Sequence, residues 1–145
     1  MPGDLTINSS LVVKSSGART NKSYSAGTTI TAGEAVYYVS TSGWLKATSL
    51  GTAAQAGSGG LFGIALHNAI ASQPLTVITS GPLTIGATLV TGTPYMISFT
   101  TGKICDFAYL ALAGLVYATY LGYASSTTVL NMSIRKYTGV QLPEV

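Results

Sequence analysis

Side chains that do covalent or acid-base chemistry are scarce in this chain, and their spacing gives them little to work with. One histidine, His67, stands with two aspartates, Asp4 and Asp106, and one cysteine, Cys105. Nucleophilic catalysis needs a base within hydrogen-bond reach of a nucleophile and an orienting carboxylate, so the raw material is nearly missing. Neither a Gly-x-Ser-x-Gly elbow nor a Gly-x4-Gly-Lys-Ser/Thr phosphate loop occurs, and Gly57-Ser58-Gly59 has neither the spacing nor a following helical pattern. One His, one Cys and four scattered acids offer no ligand pair at a workable spacing. The expectation is a non-enzymatic protein without a metal or other cofactor. In it His67 is a polar loop residue after Gly63-Ile64-Ala65-Leu66, and Cys105 is a buried apolar side chain.

The aromatic residues are the other candidates for recognition: nine tyrosines and one tryptophan could stack on sugars, anchor an interface, or simply fill core and rim. Tyr37 and Tyr38 are neighbours on one strand-like run and must point to opposite faces, so at most one is core from that strand. Trp44 follows the turn glycine Gly43, which leaves two readings: an exposed aromatic contact at a hairpin tip, or a ring packed over the mouth of the sheet.

Positioning any of these falls to a chain of 145 residues, the size of one domain or of two very small β units sharing a core. Charged residues make up 8% of it against a norm of about 25%, so polarity comes from 36 Ser and Thr and from exposed backbone rather than from ions. Such a surface has little repulsion to keep it monomeric. The net charge of +3 reflects scarcity of acids, and the basic residues are too dispersed for a phosphate-binding face, so no nucleic-acid partner is expected. Phe107 to Ala124 is uncharged and long enough to suggest a membrane span. Gly114 and Gly122 interrupt it, and its residues alternate between two faces as a buried strand would, so no membrane partner is expected. The opening Met-Pro-Gly-Asp-Leu-Thr carries neither a basic nor an apolar leader region, and synthesis in the cytoplasm without a signal peptide is the expectation.

Short β-rich runs recur between turn signals: Leu11 to Val13, Ala35 to Val39, Leu61 to Leu66, Leu75 to Ile78, Pro94 to Phe99, Val116 to Leu121 and Val129 to Ile134. Ser42-Gly43 and Thr101-Gly102 read as hairpin tips, Gly81-Pro82 as a turn, and Phe107 to Leu115 as at most one helical turn. An all-β sandwich or small barrel with little helix follows. At an offset of 59, Gly33 matches Gly92, Gly43 matches Gly102, Gly63 matches Gly122 and Ala65 matches Ala124, as Thr41 does Thr100 and Ala54 does Ala113. This predicts two similar half-units, 32–78 and 91–136, in a β domain spanning 24–145 after an N-terminal arm and linker over 1–23. In that repeat Ala108 to Gly114 corresponds to the Gly and Ala connection near Thr52 to Gly60.

The run Ala26-Gly27-Thr28-Thr29-Ile30-Thr31-Ala32-Gly33-Glu34-Ala35-Val36-Tyr37, with Gly63-Ile64-Ala65-Leu66 and Gln73-Pro74-Leu75-Thr76-Val77, resembles small capsid decoration (cement) proteins of tailed bacteriophages. Gly92-Thr93-Pro94-Tyr95, Gly102-Lys103-Ile104 and Leu121-Gly122-Tyr123-Ala124 are similar to later strands of the same group, so the resemblance spans residues 24 to 136. It implies a structural virion protein on the outer capsid surface, commonly a homotrimer, whose partner is the major capsid protein and whose work is to clamp neighbouring subunits. Leu5, Ile7, Leu11 and Val13 then have two readings: a first strand of the domain, or an arm that adds a strand to a capsid subunit's sheet edge. Two other classes fit the composition. One is a carbohydrate- or receptor-binding module of a fibre or adhesin, which needs a concave aromatic site with convergent polar groups. The other is a polymerising pilin-like or tail-tube subunit.

Overall fold

The structure, a computed structural model, describes residues 4–48, 61–98, 100–106 and 117–141. A 3₁₀ turn at Ser9–Leu11 precedes ten strands: β1 Val13–Lys14, β2 Arg19–Asn21, β3 Ala35–Val39, β4 Gly43–Lys46, β5 Phe62–Ala65, β6 Val77–Thr84, β7 Pro94–Ile97, β8 Ile104–Asp106, β9 Tyr117–Ala124 and β10 Val129–Gln141. They form one curled antiparallel sheet, a half-barrel, with almost no helix among the described residues. Both glycine-tipped hairpins form where the sequence placed them, with Gly43 at φ 90° and Gly102 at φ 80° in the region open mainly to glycine. The Phe107 to Leu115 segment, the Thr52 to Gly60 connection and its counterpart Ala108 to Gly114 lie outside the described residues.

The strand order β4-β3-β5-β6-β10-β9-β7-β8 reads the same from either end when β3 to β6 are set against β7 to β10. Hydrogen bonds recur at the same offset of 59. Gly33 N–H donates to the Ala65 carbonyl (2.9 Å) and Gly92 N–H to that of Ala124 (2.7 Å), while Ala65 N–H donates to Glu34 and Ala124 N–H to Thr93, both at 3.0 Å. The tip of the second hairpin also reaches the base of the first. Gly102 N–H donates to the Ala47 carbonyl (2.7 Å) and the Gly102 carbonyl accepts from Ala35 N–H (3.1 Å), beside a Lys46–Glu34 ion pair at 3.4 Å. These contacts draw the two ends of the strand path together.

Alternation along the strands feeds two separate cores. Ala35 and Tyr37 of β3, Ile64 of β5 and Ile78 of β6 enter the larger cluster with Leu83, Ile97, Ile104, Leu121 and Leu130. Val36, Ala65 and Val77, on the opposite faces of the same strands, enter a smaller one with Ala26, Ile30, Trp44 and Leu75. The first half-unit is therefore apolar on both faces, and its outer face is covered by the chain segments around Ala26 to Ile30 and Ala69 to Leu75.

Two expectations are corrected here. Gly81-Pro82 is not a turn: it lies inside β6, where Met132 and Asn131 of β10 pair with it, and Gly81 at φ 96° absorbs the distortion within the strand. The N-terminal stretch is not a free arm. Val13 and Lys14 pair with Thr84 and Leu83, and Arg19 to Asn21 pair with Ser80, Ile78 and Val77. Those β6 residues have β5 or β10 as their other partner, so β1 and β2 cover the edge that β5 and β10 leave. Leu5 N–H also donates to the Ile104 carbonyl (2.8 Å), and the Ser98 hydroxyl donates to the Asp4 carboxylate, which fastens the start of the chain to β8. One edge of this segment is therefore committed to β6 within the molecule.

Candidate functional site

The four apolar residues of the N-terminal stretch divide into two roles. Leu5 and Ile7 are half-buried and pack on the larger core, so they act in folding. Leu11 and Val13 are 54% and 58% exposed on either side of Val12, which is buried. The cause is local. Asn8 accepts the Ser10 N–H (3.1 Å) and hydroxyl (2.7 Å) on its side-chain oxygen, capping the 3₁₀ turn, while Asn8 N–H donates to the Gly86 carbonyl (2.8 Å). The turn is thereby fixed on the sheet, and the extended backbone that follows alternates Val12 inward and Val13 outward.

Leu11 and Val13 line a groove of about 590 Å³ with Thr84, Gly86, Ala87 and Thr128 and with no charged side chain. Thr6, Ala87 and Thr88 are shared with an adjoining groove of about 360 Å³ that carries Val90, 67% exposed. Val90 N–H is held by the Tyr95 hydroxyl at 3.0 Å. Leu11 and Val13 thus stand exposed on fixed backbone in an uncharged groove, and Val90 stands exposed in the neighbouring groove beside Asp4 and Asp106. Val90 escaped sequence reading because the turn signal Thr91-Gly92 marks a loop there without saying which side faces solvent.

Trp44 is not an exposed contact. It is fully buried in the smaller core, with the Tyr38 ring edge-on at 5.6 Å. Ala26 and Trp44 form a parallel bridge, in which Trp44 N–H donates to the Ser25 carbonyl (3.0 Å) and Gly27 N–H to that of Trp44 (2.8 Å), so a distant segment lies over the turn that sequence alone left open. Tyr37 is buried and Tyr38 half-buried, as opposite faces require. His67 is exposed and pins its loop. Its Nε2 accepts the Thr76 N–H (2.9 Å), which leaves Nδ1–H to donate to the Asn68 carbonyl (3.0 Å). Cys105 is buried. Among the described residues no group of three or more His, Cys, Asp or Glu could hold a metal ion, and no helix is long and apolar enough to cross a membrane.

No family model, curated protein or solved structure matches this chain.

Proposed function

We propose that this protein decorates the outside of a tailed-phage capsid and clamps neighbouring major capsid subunits, as the resemblance over residues 24 to 136 implies. The observation that carries the reading is the pair Leu11 and Val13, exposed apolar side chains on hydrogen-bonded backbone in a groove with no charged side chain, with exposed Val90 in the adjoining groove that Asp4 and Asp106 also line. Attachment then runs through a face of the folded domain rather than through a strand-donating arm. Burying each of those side chains is worth about 1.5–3 kcal/mol, and a shell that offers many equivalent sites multiplies a modest interface. A closed homotrimer suits such a surface, since few charges oppose association.

Rebinding to stripped virions tests the reading. The native chain is expected to return at a fixed number of copies per shell. Substituting Leu11→Asp and Val13→Asp together should leave thermal unfolding within about 1 kcal/mol of native, because both side chains face solvent. The same pair should lower occupancy at least about tenfold. Equal occupancy of a folded double variant would remove this face from the account.

A further inference from the structure

A separate groove, of about 400 Å³, opens where the stretch after β2, the β3–β4 turn and the connection from β5 to β6 meet. Tyr24 and Tyr38 line it with their rings stacked, centroids 4.0 Å apart and planes 26° from parallel, and the edge contact with buried Trp44 backs Tyr38. Around the pair stand the hydroxyls of Ser23, Ser25, Ser40, Thr41, Ser42 and Ser72. All six of these Ser and Thr residues are exposed, and both tyrosines are half-buried.

The walls are set by backbone. Ala26 N–H donates to the Gln73 carbonyl and Ser72 N–H to that of Ala26, both at 2.8 Å, and Trp44 N–H after the β3–β4 turn donates to the Ser25 carbonyl at 3.0 Å, so the three segments hold one another. Ser72 sits at φ 75°, the one non-glycine residue with positive φ among those described, and such backbone tends to persist where a site is built.

A pyranose ring presents an apolar C–H face and a rim of hydroxyls that donate and accept. Stacked tyrosines ringed by exposed Ser and Thr, whose hydroxyls also donate and accept, match both features. The volume lies in the range of small-ligand sites, roughly 300–1,000 Å³. No charged side chain lines the groove, so an acidic sugar would find no counter-ion. We infer that this groove binds a neutral glycan through a hexose or N-acetylhexosamine unit stacked on the Tyr24–Tyr38 pair. It shares no lining residue with the Leu11 and Val13 groove, so it is an activity additional to shell attachment. On a shell with many copies, weak single sites could gain avidity on the order of 10²–10⁴.

The test uses the isolated full chain and follows its backbone amide resonances while maltotriose, cellotriose and triacetylchitotriose are each added to about 20 mM, a range that captures millimolar affinity. At least one sugar should give saturable shifts concentrated at residues 23–26, 40–43 and 72. Tyr24→Ala removes the stacking face, and Thr41→Arg blocks the groove from the exposed turn without touching the tyrosine pair; each should weaken binding at least about tenfold. A native-like spectrum for Thr41→Arg separates loss of the site from loss of the fold. No saturable shift with any of the three sugars, shifts located elsewhere, or unchanged affinity in folded Thr41→Arg would overturn the inference. Since the readout is the free chain, that failure would leave attachment to a shell untouched.

Discussion

At Gly63 and Gly122 the missing side chain is what allows neighbouring strands to pair. A Cβ at Gly63 would collide with the Ile78 carbonyl oxygen of β6, and one at Gly122 with the Asn131 carbonyl oxygen of β10, and neither oxygen belongs to a side chain that could swing away. Gly63→Ala and Gly122→Ala should each destabilise by about 1–3 kcal/mol or more, measured by denaturant unfolding. Gly92→Ala, where nothing lies within 4 Å, should cost only the backbone term of about 1–2 kcal/mol. Trp44, the sole tryptophan, should show the blue-shifted emission of a buried indole and resist aqueous quenchers in the native state. Exposed-type emission would contradict its place in the smaller core. Gly43 and Gly102 were legible in the sequence because the positive φ of a hairpin tip is a local requirement, whereas the close approaches at Gly63 and Gly122 depend on which strands become their neighbours. Trp44 was not legible, because its burial depends on the segment around Ala26 crossing the β3–β4 hairpin.

Among the elements, the N-terminal stretch bears most on the proposed attachment. It closes the exposed edge of β6, adds buried Val12 to the larger core and ties Asp4 and Leu5 to β8. Deleting residues 1–14 should therefore lower the melting temperature and expose apolar surface, with Val12 alone worth about 1.5–3 kcal/mol. A truncated chain that melts like the native one would restore the free-arm reading. Sequence periodicity located β3 residue for residue and β5, β7 and β9 within a few residues, because their β-branched and aromatic side chains alternate into packed faces. It passed over β2, since Arg19-Thr20-Asn21 carries no apolar alternation and is held by backbone pairing to β6. It also broke β6 at Gly81-Pro82, where residues that usually turn the chain are carried within a strand paired to β10.

For the whole molecule, the scarcity of charge has a direct consequence. If the groove of Leu11 and Val13 is the attachment face, its walls are uncharged, and occupancy on capsids should change little between about 0.05 and 0.5 M salt. A steep fall with salt would point instead to the dispersed Lys and Arg side chains. Light scattering should give a trimer, either free at micromolar concentration or after release from the shell, and a monomer in both states would count against the assembly proposed. The all-β class followed from strand-length runs and the glycines that punctuate them. The docking face did not, because which of several apolar loop residues remains outside is decided only when the sheet curls. The measurement that bears most directly on the proposed role is a reconstruction of stripped capsids redecorated with the purified chain. Leu11, Val13 and Val90 should lie against capsid protein, with each copy or each trimer bridging neighbouring subunits. Capsids that bind no copies, or bind them with that face turned to solvent, would contradict it.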